Sequence, residues 1–334
     1  MKSFVPVALV IAALAVVPLF VQSNVVLNFL VVTLMIALAG QGWNILGGYG
    51  GQYSFGHAVF FGTGAYVTAV LQVKYGVNAW LAFGCGIVVG AAVGTVVGWL
   101  AFRAGLRGSY FALVTLAFAE VFRILASVAP ITGGGVGTLV TLDLRFSAMQ
   151  FQSRATFYWL ILSLVATALI VTWLIERSRF GAWLIAVREN EDAARALGVD
   201  ALAIKLAAMV ISGAITAAAG GFYVQYFLFV DSHIAYGTWI SIEALLTPII
   251  GGAGTIFGPL VGALVVRVLG EVALLVTGHA PGLDLVVFGV VLIAVVGFSP
   301  SGIIGLRNSL LAKFRRGRSV APAIKSPAEE ARGG

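Results

Sequence analysis

Ionisable side chains are scarce in this chain, and their positions are informative. Glu120 and Arg123 stand three residues apart inside one apolar run, Arg267 and Glu271 four apart inside another, and Glu243 lies in a third. Spacings of three and four put both members on one helix face, where they can neutralise each other as intramembrane ion pairs. Charged groups at membrane depth are costly and turn towards a bundle interior or a water-filled path, so each is also a candidate contact for a passing solute. Glu243 has no opposite charge close in sequence, so its partner must come from another helix or from water. His57 stands at the mouth of a glycine-rich stretch, with no second histidine, cysteine or carboxylate at metal-ligand spacing, so no metal site is expected there. Asp231 and His233 read as residues of a solvated loop. No nucleophile elbow, zinc signature or Asp-rich metal motif occurs, so catalysis is not expected. The run Gly133-Gly134-Gly135-Val136-Gly137 superficially resembles a phosphate loop, but no Lys-Ser or Lys-Thr follows it, so the chain has no ATP site of that kind.

The elements that must hold these residues follow from composition. Hydrophobic residues make up 60% of the 334 and charged residues 10%, too greasy for a water-soluble domain. Repeated continuous apolar runs of spanning length specify an all-α polytopic membrane protein, and their lack of alternation excludes a β-barrel. Forty-two glycines suit close helix approach in lipid. The lone Cys85 lies in an apolar run with no partner and reads as a small membrane-buried side chain rather than a disulfide or thiolate ligand. Candidate spans run over residues 4–21, 25–46, 57–73, 78–102, 111–129, 157–175, 202–228, 239–253, 257–277 and 283–298, about ten in all. The first lacks a small-x-small cleavage pattern and reads as a span rather than a signal peptide. The excess of basic residues, +7 net, reflects the positive-inside rule rather than nucleic-acid binding. Alternation puts Lys2, Arg103, Arg107, Arg177, Arg179, Arg188, Arg195, Lys205, Arg307, Lys313, Arg315, Arg316 and Arg318 on the cytoplasmic side, and only Lys74, Arg145 and Arg154 outside. Both termini are then cytoplasmic. Residues 1–310 read as one transmembrane domain and 311–334 as a basic, then disordered, tail. The connection over residues 130–154 is long enough for a short surface helix or a docking edge.

Two glycine-rich breaks interrupt the spans. One is Gly47-Gly48-Tyr49-Gly50-Gly51-Gln52-Tyr53-Ser54-Phe55-Gly56-His57; the other is Gly251-Gly252-Ala253-Gly254-Thr255-Ile256-Phe257-Gly258-Pro259. Both are entered and left in the same sense, which suggests a weak internal repeat. Irregular backbone at membrane depth is tolerated where it is buried in protein or lines a cavity. Gly51, Gln52, Ser54, His57, Glu243, Gly251, Gly252 and Gly254 are therefore the candidate translocation-path residues, against the plainer reading of tight helix packing around a turn.

One stretch, residues 176–205, is conspicuously polar. Within it, Glu189, Glu191 and Asp192 precede a run of helix formers and Gly198 can end it, so a short charged surface helix is expected from about Arg188 to Gly198. Such a helix, joined rigidly to two spans, could transmit force from a soluble motor. The blocks Ser178-Arg179-Phe180-Gly181-Ala182-Trp183 and Ala186-Val187-Arg188-Glu189-Asn190-Glu191-Asp192-Ala193-Ala194-Arg195-Ala196-Leu197-Gly198-Val199 resemble the cytoplasmic coupling segment of LivM-type permeases of branched-chain amino-acid ABC importers. So do Gly47 to Tyr66, Arg107 to Glu120, Thr132-Gly133-Gly134, Ser241 to Pro259 and Pro300 to Leu306, in that order along the chain. The resemblance implies a bacterial inner-membrane importer subunit with no cofactor of its own. Its partners would be a second permease, two ATPase subunits that bind the ATP, an external solute-binding protein and membrane lipid. It assigns Arg188, Glu189, Asn190, Glu191, Asp192, Arg195 and Gly198 to coupling. Pro248 departs from the family pattern and expects a kinked span, which keeps a urea- or amide-type permease as the alternative within the family. An ion-coupled secondary transporter, with Glu243 or the buried pairs carrying ions, is the alternative outside it, and a membrane scaffold is a third.

Overall fold

A computed structural model describes residues 4–277, residues 286, 289, 290 and 293, and residues 302–305. The expected tenth span, the tail 311–334, Lys2, Pro300, Ser301, Leu306 and the basic residues from Arg307 onward lie outside or largely outside these. The helices are α1 (Val5–Phe20), α2 (Asn24–Trp43), α3 (Ala58–Tyr75), α4 (Ala79–Arg103), α5 (Gly108–Val128), α6 (Arg154–Arg177), α7 (Arg179–Glu189), α8 (Glu191–Ala196), α9 (Ala201–Phe227), α10 (Ser232–Ala235), α11 (Thr238–Gly251) and α12 (Gly258–Thr277). Among the described residues seven helical stretches are long and apolar enough to cross a membrane: Asn24–Tyr49, Ala79–Arg103, Gly108–Val128, Arg154–Arg177, Ala201–Phe227, Ser232–Gly251 and Gly258–Leu275. Two further expected spans are helical but fall outside these seven. They are α1, at 16 residues, and α3, whose last turn carries Gln72 and Lys74.

Helix α2 is the axis of the bundle. From Val31 onward nearly all its side chains are buried, and it packs against α6, α9, α11 and α12. Polar ties in a setting without a hydrophobic drive between helices fix its neighbours: Gln41 Nε2 donates to Thr172 Oγ1 of α6 at 2.7 Å, and Tyr226 Oη of α9 donates to Asn28 Oδ1 at 2.6 Å. Small residues set the spacing elsewhere. A Cβ on Gly64 of α3 would strike the Ala217 carbonyl of α9, and one on Gly220 would strike the Phe61 carbonyl, so these two helices touch backbone to backbone.

The basic residues sort to two ends. Arg107, the α7–α8 segment and the start of α9 share one, hereafter the island end; Lys74, bonded to the Pro130 carbonyl, and Arg154, bonded to the Asn24 carbonyl, share the far end. The far-end connection 129–153, long enough for a short surface helix or a docking edge, contains no α-helix. It folds as three 3₁₀ turns and a two-residue strand, β1 (Thr138–Leu139), antiparallel to β2 (Phe229–Val230). Asp231 is not simply a loop residue: its side chain caps α10 by accepting from Ile234 N at 2.8 Å. Pro248 sits inside α11, where it removes the N–H that Ala244 O would accept; Thr247 Oγ1 points to that carbonyl at 3.4 Å. Cys85 lies on the outer surface of α4, a helix long and apolar enough to cross a membrane.

Candidate functional site

Both glycine breaks lie at the island end and meet each other. Helix α2 does not stop at Trp43 but widens into a π-helical turn over Asn44–Tyr49 before the chain turns back into α3. π turns concentrate at functional positions in helices. Asn44, at the start of that turn, joins the two breaks: its Nδ2 donates to the Thr255 carbonyl at 2.9 Å and its Oδ1 accepts from Gly254 N at 2.8 Å. A Cβ on Gly48 would lie 2.5 Å from Gly254 N, so no side chain fits between them. Gly302 in turn packs on the Gly251–Gly252 backbone. Trp43, fully buried, donates its Nε1 to the Ser54 carbonyl at 2.8 Å and pins the return limb of the first break.

Of the path residues expected from sequence, Gly51, Gln52, Gly252 and Gly254 lie in these breaks, and Gly251 is where α11 meets the start of α12. Ser54 and His57, on the return limb of the first break, are fully buried, with His57 Nε2 2.8 Å from Ser212 Oγ of α9. Glu243 is buried one helix away. Trp239 hydrogen-bonds to it, and Arg267 of α12 lies within electrostatic range, which supplies the partner the sequence could not name. Arg267 also pairs with Glu271 at 3.4 Å, and Arg123 with Glu120 through Nε at 2.8 Å.

The polar island is two helices rather than the single one expected. Ser178 caps α7, accepting from Gly181 N at 3.1 Å. Asn190 breaks the run: its backbone is extended, and its side chain caps α8 by accepting from Ala193 N at 2.9 Å. Gly198, at φ +86, ends α8 with Val199 N bonded to Ala194 O and Gly198 N to Arg195 O, the left-handed terminus glycine favours. Helix α7 buries Gly181, Leu184 and Val187 and lies on the first break. Leu184 packs on Gly50, the Arg188 stem packs on Gly51, and Arg188 Nη1 donates to the Gly48 carbonyl at 2.9 Å. The same guanidinium lies alongside Gly254 of the second break.

The island's charges divide by environment. Glu191, only 8% exposed, accepts from Lys205 Nζ at 3.0 Å and from Arg195 Nη2 at 2.7 Å, with Arg107 Nε 3.3 Å away. Lys205, 2% exposed, belongs to the interior despite its place in a polar stretch and also sits over the Phe102 ring. Glu189 pairs with Arg188 but stays exposed, as do Asp192 and Arg195. The hydrogen bond from Arg107 holds the Asp192 carboxyl below its ordinary range. At the tip Leu197 is 86% exposed, an apolar residue amid charges that sequence reading treated only as a helix former.

Two surface cavities of about 370 and 230 Å³ open at the far end, lined by residues such as Asn28, Gln150, Arg154 and Tyr226 in the first and Gln72, Asn78 and Asp143 in the second. Neither touches the breaks. Among the described residues no cluster of three His, Cys, Asp or Glu side chains could hold a metal ion.

Residues 25–296 match the protein family described as the permease component of branched-chain amino acid transport systems. The chain is 30% identical, over 75% of its length, to the high-affinity branched-chain amino acid transport system permease protein LivM of Escherichia coli, and spans 64% of that protein. It is 26% identical, over 74% of its length, to the probable branched-chain amino acid transport permease protein LivM of Methanocaldococcus jannaschii, covering 78% of it. It is 27% identical, over 66% of its length, to the autoinducer 2 import system permease protein LsrC of E. coli, covering 68%. No solved structure matches the chain.

Proposed function

Because the chain belongs to the family of branched-chain amino acid transport permease components, we propose that it forms the membrane path of an importer and takes its energy from separate ATPase subunits. The observation that carries this reading is Arg188, which ties the charged island to both glycine breaks through the Gly48 carbonyl at 2.9 Å and the neighbouring Gly254. A force on the exposed face of α7 and α8 reaches the breaks through one side chain and its short helix. Irregular backbone at membrane depth can rearrange without breaking a continuous helix, so the breaks are where an alternating-access gate would act.

In this reading the island end is cytoplasmic, since it gathers Arg103, Arg107, Arg177, Arg179, Arg188 and Arg195. Glu189, Asp192, Arg195 and Leu197 are the exposed residues that would meet two ATPase subunits. Asn190 and Gly198 shape the segment by capping and ending α8, and Glu191 anchors it from within. A second permease subunit would complete the path and an external solute-binding protein would load it at the far end. The transported solutes are branched-chain or related amino acids, with a urea- or amide-type substrate as the alternative. The chain itself plays no catalytic part and carries no cofactor; ATP belongs to the partner subunits.

The test is reconstitution with the cognate ATPase subunits and binding protein in proteoliposomes. Uptake should require ATP and survive collapse of proton and sodium gradients. Uptake that proceeds without the ATPase subunits and stops when an ion gradient is collapsed would replace this reading with an ion-coupled transporter.

A further inference from the structure

Among the described residues helix α5 is the least buried of the helices long and apolar enough to span, and it carries an ion pair on its open face. Phe111, Ala112, Thr115, Ala119 and Ala126 turn inward, whereas Tyr110, Leu113, Ala117, Glu120, Ile124 and Val128 form an exposed stripe. Glu120 lies twelve residues into the helix, about 18 Å from its island end at 1.5 Å per residue. It is therefore near the middle of the membrane, yet its side chain is 51% exposed and that of Arg123 25%. The pair is forked: Arg123 Nε and Nη2 donate to the two Glu120 oxygens at 2.8 and 2.5 Å. From another element, α10, His233 Nδ1 lies 3.4 Å from Arg123 Nη1 and can accept from it.

A half-exposed carboxylate with a quarter-exposed guanidinium at mid-membrane is too costly to face lipid tails and gains nothing there over an apolar pair. Such a face belongs against water or a polar partner. Resting on the permease reading above, we propose that Glu120, Arg123 and His233 form a recognition station for zwitterions on a water-filled path that the second permease subunit closes. A free amino acid carries an ammonium and a carboxylate two bonds apart. It can exchange its own charges into the fork, ammonium on Glu120 and carboxylate on Arg123, while His233 holds the remaining guanidinium N–H. The pairing inside the protein keeps both charges neutralised when the station is empty. A solute with no charges, such as urea, cannot compete with that internal pair, so the station would select amino acids over neutral amides.

The test uses the complete importer in proteoliposomes, with Cys85→Ser removing the native thiol and Ala117→Cys placing a reporter one turn from Glu120 on the same stripe. A membrane-impermeant methanethiosulfonate should modify the reporter, and a mixture of the proteinogenic amino acids other than cysteine, whose thiol would consume the reagent, should slow the reaction at least about 5-fold, while urea leaves it unchanged. Glu120→Gln or Arg123→Gln should raise the amino-acid concentration for half-protection by about 10- to 100-fold, the weight of one charge-assisted hydrogen bond. An unliganded modification rate equal to that of the parent shows that each variant is folded. A reporter that does not react, equal protection by urea, or protection that persists in both neutral variants would overturn the station. ATP-driven uptake of the same mixture is measured alongside. Uptake without protection sinks the station alone, and protection without ATP-driven uptake sinks the importer reading alone.

Discussion

Glu191→Gln is the substitution for which the structure gives the sharpest stability expectation. Lys205 Nζ lies 3.0 Å from Glu191 Oε1, with only 2% of the lysine side chain exposed. At that distance and an effective dielectric constant of about 20, the attraction is about 5–6 kcal/mol before desolvation is charged against it. Neutralising the carboxylate leaves a buried ammonium without its anion, which typically costs about 3–5 kcal/mol. The reverse truncation, Lys205→Met, should cost less, because Glu191 keeps Arg195 at 2.7 Å and Arg107 at 3.3 Å. Arg195→Gln removes a half-exposed partner and should cost about 0–1 kcal/mol. The double variant Glu191→Gln with Lys205→Met should recover most of the loss. Thermal and denaturant unfolding of the purified permease in detergent, read as a double-mutant cycle, would measure this. Equal, small effects of Glu191→Gln and Arg195→Gln, or strict additivity of the Glu191 and Lys205 changes, would refute the reasoning.

Two further expectations concern the same end of the molecule. Asn44→Leu leaves Gly254 N–H and the Thr255 carbonyl without their partner, at about 1–3 kcal/mol each if no water replaces it; hydrogen exchange over residues 252–257 should accelerate while α2 itself stays protected. Asp192 is held below its ordinary range by Arg107, so its contribution is fully present above the unfolded carboxyl's value of about 4 and is lost as pH falls through the lower folded one. Arg107→Gln should therefore weaken the island near neutral pH and flatten its acid dependence below about pH 4, visible as a smaller acid-induced shift in unfolding midpoint.

Much of the architecture was legible because hydrocarbon thickness fixes span length, and the basic bias fixes which ends belong together. The paired charges were legible too, since three- and four-residue spacings close on one helix. What escaped was long-range. Lys205 looked like part of a wet segment, and only the fold brings Glu191, on a different helix, against it. Glu191, one of the charges assigned to the coupling segment, has its side chain buried against Lys205. Asn44 is an amide in the last turns of an apolar helix and has to find partners, here 210 and 211 residues away. The break at Asn190 did leave a local trace: Asn followed by Glu and Asp is an N-cap with an acidic first turn, masked by the alanines that follow. The strand pairing of Thr138–Leu139 with Phe229–Val230 had no local trace at all, since two residues carry no periodicity.

The claim on which the account turns is that Arg188 transmits motion of the island to the glycine breaks. Its most direct test is Arg188→Ala in the reconstituted importer, with ATP hydrolysis and solute uptake measured on the same vesicles. The account predicts assembly and hydrolysis near the parental rate while uptake per ATP falls at least about 10-fold, the effect expected for loss of one charged hydrogen bond at the coupling step. Unchanged uptake per ATP would contradict it.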